Sequence, residues 1–344
     1  MELLHHVRRH RVQFGGPIHG HLCDSILHSR YFDFSHTTSS HDYIDVIITE
    51  GKQPLTETTL LAFRHGRNDP TCAFIDGDFW RASWTPHGPG TIRIAAALSP
   101  TPQCEGFGPG GDWLAERGAD FLGTNDSFDG IVSAHPSVEL AQRQFGHLRL
   151  GRSSSPYHEL LVAVLGQRVT GIEAIRQWRQ ITFRYGAPAP GPLEGLMVPP
   201  DPEKISSTPY YDFHSFGIEK KRADALRAVA RHIDMLTSST LFSLAPTEAT
   251  RRLQIIDGIG PWSSAVAGGL AFGDPDALLV GDFHVKNTAA WALRGVIRGT
   301  DEEMVRDMTP YAGQRHRVMR WLELAGWRAP ARGPRQRIVS IARL

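Results

Sequence analysis

The sequence predicts an α+β protein, with an N-terminal antiparallel β-sheet domain followed by a mainly α-helical one. Two observations carry this expectation. Short β-branched or aromatic runs, broken by turn signals, occupy residues 43–98, and beyond residue 111 apolar residues recur at helical spacing. A length of 344 residues suits two domains better than one core.

Along the chain, residues 1–41 hold eight histidines, including His19 and His21 two apart. Such spacing places two imidazoles on one face of a strand, but an irregular arm is expected and no metal site. Residues 42–111 are expected to form the sheet domain and a linker. YIDVIITE, CAFID, FWRASW and TIRIAAAL read as its strands, with turns at Asp76-Gly77 and His87-Gly88-Pro89-Gly90. The stretch SPTPQCEGFGPGG reads as the linker. Residues 112–344 are expected to form the helical domain. Ser154 or Ser155 before Pro156 starts the helix YHELLVAVLGQ, and Leu226, Val229, Ala230, Ile233 and Leu236 mark the buried stripe of another. The segment GAPAPGPLEGLMVPPDPEK reads as a long loop within this domain.

The bulk numbers exclude several classes. No apolar run reaches the roughly 18 to 20 residues that span a bilayer, and MELLHHVRRHRV lacks an apolar signal core. A cytoplasmic protein with no membrane partner is expected. Three cysteines, Cys23, Cys72 and Cys104, show no CxxC spacing, so a disulfide framework, zinc ribbon or iron-sulfur cluster is not expected. The net charge of +1 announces no nucleic-acid partner. Its distribution is more telling, because residues 312–344 hold eight arginines against the single acid Glu323.

The segment LQIIDGIGPWSSAVAGGLAFGDPDALLVGDFHVKN carries the chemistry. Gly258 and Gly260 bracket Ile259 in a tight turn between two helices, and Pro261 suits the first turn of the second. Glycines let a partner's backbone come close, and the amides opening the second helix can accept a phosphate. A GxG turn alone is also what two packed helices use. The second signal is Asp282, 22 residues after Gly260, opening the helix FHVKNTAAWALRGVI. Aspartate is a favoured N-cap, so a carboxylate there can both cap and react.

Together these residues resemble the helix-hairpin-helix DNA glycosylases, and within them the bacterial 3-methyladenine DNA glycosylase II type. LLVAVLGQRVTG resembles the family's ILGQ-type helix end, FGIEKKRADALRAVA is similar to the helix that feeds the hairpin, and FRHGRNDPT with FWRASWTPHGPGTIRI is similar to a β-rich N-terminal domain. The resemblance spans residues 55–340 and implies that the helical domain is a helix-hairpin-helix glycosylase domain. It implies Asp282 as the catalytic carboxylate, Trp262, Phe283 and Gln167 as lining of the substrate pocket, and Gly258, Ile259, Gly260 and Arg168 as DNA contacts. The partner implied is double-stranded DNA containing damaged bases, bound by a nucleoid-associated monomer without cofactor or metal.

Family members that also cut the backbone carry a lysine where this sequence has Trp262. An indole cannot form a Schiff base, so the resemblance implies a monofunctional enzyme in which water attacks the sugar. A purine alkylated on a ring nitrogen is cationic and already a good leaving group, and aromatic faces such as Trp262 can hold it. Two departures bear on the pocket: Arg168 stands where a leucine wedge is common, and Val266 where a tyrosine can occur. GQRHRVMRWLELAGW resembles the closing helix, with Arg315, Arg317 and Trp321 as candidates to face the site. Two other readings remain at this stage: a glycosylase for another damaged base, and a DNA-structure-binding protein that keeps the hairpin without catalysis.

Overall fold

The structure is a computed structural model in which residues 55–128 and 130–330 are described. The histidine-rich arm, the run YIDVIITE, Cys23 and the last arginines of the tail lie outside them. Helix α1 (Leu55–Leu61) leads into an antiparallel meander of β1 (Cys72–Ile75), β2 (Asp78–Thr85), β3 (Gly88–Ala95) and β4 (Gln103–Phe107), ordered β1-β2-β3-β4. Asp76 and Gly77 both take positive φ, 51° and 83°, between the paired residues Ile75 and Asp78. This is the primed two-residue turn that matches strand twist, and Asp-Gly is its usual sequence.

Two expectations change here. The second turn lies at Pro86-His87, and Gly88, Pro89 and Gly90 already belong to β3. The stretch read as a linker supplies β4, which pairs with residues 91–95 of β3. Its glycines serve close packing of backbone on backbone: a Cβ on Gly106 would stand 2.0 Å from the Gly111 carbonyl oxygen. Loop-like composition therefore hides a strand.

Both faces of the sheet are covered. Phe79, Ile92 and Ile94 pack with Leu60, Phe63 and Phe121 on one side. Trp80 and Ala82 pack with Leu196 and Val198 of the proline-rich loop on the other. That is why β2 is buried from Phe79 to Ser83 without a break instead of alternating between buried and exposed.

The helices that position the site are α2 (Pro136–Phe145), α3 (Pro156–Leu165), α4 (Gly171–Tyr185), α5 (Lys220–Arg231), α6 (Pro246–Arg252), α7 (Pro261–Ala271), α8 (Phe283–Arg294), α9 (Asp301–Asp307) and α10 (Arg315–Leu324). Helix α3 starts with Pro156 at its first turn, as expected, and every residue in it is buried. Of the expected stripe, Leu226, Val229 and Ala230 are buried on α5, which ends at Arg231; Ile233, half-buried, and Leu236, buried, fall on a separate short helix (Ile233–Leu236). Helix α7 packs against α3 and is buried from Ser263 to Ala271. Its small residues allow this: Ala267 and Ala271 belong to the core around α3, Ala265 and Val266 to the core around α8 and α10, and Leu270 to the core beneath the sheet. The element after the hairpin is thus clamped from three sides, which fixes its first turn.

Sheet and helices are also tied by a buried ion pair. Arg81 on β2 stands 2.5 Å from Glu159 on α3, both side chains fully buried, and Ser153 donates to the same carboxylate at 3.0 Å. No described helix is long and apolar enough to cross a membrane. Among the described residues, no group of three or more His, Cys, Asp or Glu side chains is arranged to hold a metal ion.

Candidate active site

The hairpin runs from α6 through a short 3-10 turn (Leu253–Ile255) to α7. Ile256 and Ile259 are buried and anchor it, while the two glycines differ in what they do. Gly258 has φ +85°, and a Cβ there would lie 2.6 Å from the Ala225 Cβ, so fold and backbone both demand glycine. Gly260 is exposed and a Cβ on it would meet nothing within 4 Å. Nothing inside the protein requires Gly260; it leaves open space at the start of α7, where free amides face outward. Arg251 and Arg252, which end α6, are exposed just before this turn.

Gln167 follows α3 and reaches across to the hairpin. Its amide nitrogen donates to the Gly258 carbonyl at 3.0 Å and to Ser263 Oγ at 2.8 Å, bracing the turn against the first turn of α7. The side chain expected to line the pocket therefore holds the hairpin in place. Arg168, beside it, is exposed with φ +58°, a left-handed conformation uncommon for a residue with a Cβ. The chain thus presents arginine on a constrained turn next to the hairpin.

Asp282 is 5% exposed and caps α8, with Oδ1 accepting the N–H of His284 at 2.8 Å and of Val285 at 3.0 Å. The indole N–H of Trp262 donates to Oδ2 at 3.1 Å. Trp262 sits on the first turn of α7 and packs against the cores on both sides, so the hairpin and the carboxylate are joined through one side chain. Three N–H donors fix the orientation of the carboxylate. The turn before it is held by Asp301, which accepts the Gly281 N–H at 2.8 Å and pairs with Lys286 at 2.9 Å. Phe283 is 57% exposed, its ring covered by the Arg298 guanidinium 5.1 Å from the centroid, and so lies on the surface beside Asp282.

None of the three candidates on the closing helix α10 lines either of the two small cavities beside it. Arg317 and Trp321 are fully buried, Arg317 paired with Asp126 at 2.6 Å, and Arg315 pairs with Asp276 at 2.5 Å. His316 and Arg320 instead line both cavities, one of about 30 Å³ between α10, α7, α1 and residues 148–151 and one of about 10 Å³ between α10, residues 277–279 and Val285 of α8, and Glu323 lines the second. Val266 lines the larger one and Val285 the smaller. No motif in the sequence marked these residues; their helical spacing was the one available signal, and it does not say which face turns inward. Asp301 and Ser263 likewise lack any local signature.

Burial drives the His316 imidazole down to about 3, and the Arg320 and Arg317 guanidinium groups push the same way. Between the ordinary value of 6.5 and about 3, the unfolded chain takes up a proton that the folded chain refuses. This contribution to stability is full above pH 6.5 and is lost as pH falls through that window. His316→Gln is expected to flatten the drop in urea midpoint between about pH 7 and pH 4. An equal drop in both proteins would assign the acid loss to other groups.

No protein-family profile and no curated protein matches the sequence. Among solved structures, the chain is similar to a 3-methyladenine DNA-glycosylase from Archaeoglobus fulgidus, with 18% identity and a TM-score of 0.60 over 79% of this chain and 94% of that one. It is also similar to Clostridium acetobutylicum 8-oxoguanine glycosylase/lyase in complex with double-stranded DNA containing cytosine opposite 8-oxoG, with 13% identity and a TM-score of 0.50 over 74% of this chain and 98% of that one. The described residues carry the fold shared by these DNA glycosylases, with the hairpin, Trp262 and Asp282 at one end of α7.

Proposed function

We propose that this chain is a monofunctional DNA glycosylase of the 3-methyladenine DNA glycosylase II type, excising alkylated purines in base excision repair. The observation that carries the reading is the union of hairpin and carboxylate: Trp262, on the first turn after Gly260, donates its N–H to Asp282. The hairpin amides, Arg168, Arg251 and Arg252 hold the phosphates of damaged double-stranded DNA, which positions the duplex without reading sequence. The damaged nucleotide is flipped out of the stack. Asp282 then stabilises the positive charge that develops on the sugar and receives a proton from the attacking water. An alkylated, cationic purine leaves with little further help.

No amine stands at the hairpin position occupied by Trp262, so strand cleavage through a Schiff base has no nucleophile there. The protein acts as a monomer and is placed by its substrate at the nucleoid. On a duplex carrying 7-methylguanine the expected result is base release, strand breaks that appear only after alkali, and no covalent adduct on borohydride reduction. A borohydride-trapped adduct would overturn the monofunctional reading, and absence of base release from this duplex would overturn the alkylated-purine assignment.

A further inference from the structure

The loop between α8 and α9, residues 295–300, is fastened to the chain on both sides of Asp282. Asn287, on α8 and 7% exposed, uses both ends of its amide: Nδ2 donates to the Phe283 carbonyl at 2.7 Å, and Oδ1 accepts the Gly299 N–H at 3.1 Å. Gly299 packs too closely for a side chain, since a Cβ on it would stand 2.8 Å from the Ala290 Cβ and 3.0 Å from the Lys286 carbonyl oxygen. Asp301, just beyond, holds the Gly281 N–H and the Lys286 ammonium. The backbone that carries Arg298 is therefore fixed against the residues that flank Asp282.

The cations around this loop are matched by carboxylates, with one exception. Lys286 pairs with Asp301, and Arg294 pairs with Glu303 at 2.8 Å and Asp307 at 2.9 Å. Arg298 is exposed, and among the described residues no carboxylate forms an ion pair with it. Its guanidinium lies instead over the ring of Phe283, the exposed residue that directly follows Asp282. A guanidinium held at an aromatic face keeps N–H groups free at its edge, where they can take a phosphate through two parallel hydrogen bonds. The stack also holds a long side chain in one place, which reduces the ordering cost of binding.

We propose that Arg298 is a phosphate-binding residue of this site, gripping the backbone phosphate next to the flipped nucleotide while Asp282 acts on the sugar. The inference rests on the glycosylase reading above and adds a contact on the damaged strand to those the hairpin makes. Sugar and phosphate of one nucleotide are a few bonds apart, so a sugar at Asp282 brings its phosphate to the surface formed by the next residue. Phe283 is the shelf for the guanidinium, and Asn287 ties shelf and loop together. The contact forms as the nucleotide leaves the stack, so it favours the flipped state over the stacked one.

The test uses the full chain and a duplex carrying a tetrahydrofuran abasic analogue, with the phosphates on either side of it replaced in turn by neutral methylphosphonate. The wild type is expected to lose about tenfold in affinity at one phosphate adjoining the analogue. Arg298→Gln is expected to lose as much on the unmodified duplex and no more than about twofold further at that phosphate. Salt dependence gives a second reading. The slope of log affinity against log salt is expected to shrink by about one in Arg298→Gln and to keep its wild-type value in Arg298→Lys, which retains the charge. A wild type indifferent to every adjoining methylphosphonate would overturn the assignment whether or not the variants fold. So would additive losses from the variant and the methylphosphonate, or an unchanged slope in Arg298→Gln. Release of 7-methylguanine by the wild type alongside any of these results would leave the glycosylase reading intact. A wild type that neither binds the analogue duplex nor releases 7-methylguanine would overturn both.

Discussion

Asp282→Asn is expected to slow base release from a 7-methylguanine duplex by at least about two orders of magnitude, with DNA affinity and thermal stability retained. The size follows from the role, because a neutral amide can neither balance charge on the sugar nor take a proton from water. The retained stability follows from the geometry. The asparagine carbonyl replaces Oδ1 as acceptor for His284 and Val285 and keeps the cap of α8, asparagine being as good an N-cap as aspartate. What changes is the other side: the new NH₂ meets the Trp262 N–H that now donates to Oδ2. Because Trp262 is partly exposed, water can take up that N–H. Asp282→Ala is a poorer probe, since it also removes the cap at a cost of about 1 kcal/mol. Single-turnover kinetics beside a binding titration decide the matter, and wild-type rates in the asparagine variant would dismiss Asp282 as the catalytic group.

Arg81→Leu is expected to destabilise the fold by about 3–5 kcal/mol, the largest loss from any single substitution considered for stability. The guanidinium sits between the Phe63 carbonyl, His158 and Glu159, with Arg81 and Glu159 both fully buried. Removing it leaves a fully buried carboxylate with the Ser153 hydroxyl at 3.0 Å and the His65 imidazole at 3.6 Å in place of a guanidinium. Replacing both members of a buried pair by apolar side chains is much better tolerated than replacing one. The double variant Arg81→Leu, Glu159→Leu should therefore recover most of the loss in urea unfolding. If the single and double variants unfolded together, the pair would not be what couples the sheet to α3. Since Gln167 follows α3 directly and braces the hairpin, loosening this junction is expected to reach the site as well.

Much of the fold was legible because its signals are local. Asp76-Gly77 makes the primed turn, Pro156 opens α3, and Asp282 caps α8, each through backbone geometry set by one or two residues. The apolar stripe of α5 was readable from period alone. β4 was missed because Gly106 and the glycines that follow it look like loop punctuation, whereas Gly106 lets the strand approach the backbone of Gly111, which opens a short helix.

The site divides in the same way. The hairpin, the aspartate that opens the next helix and the absence of a lysine beside Gly260 are readable without any coordinates, since all three lie within one stretch of chain. Packing alone brings the Trp262 N–H to Asp282, Gln167 to the hairpin and Arg81 to Glu159, and turns His316, Arg320 and Glu323 of α10 toward small cavities while Arg317 and Trp321 are buried elsewhere. These are contacts between residues distant along the chain, and the physical reason is common to them. Which face of a helix is buried, and which charge meets which, depends on the surfaces packed around it, whereas caps, turns and periodicity depend on the nearest few residues alone.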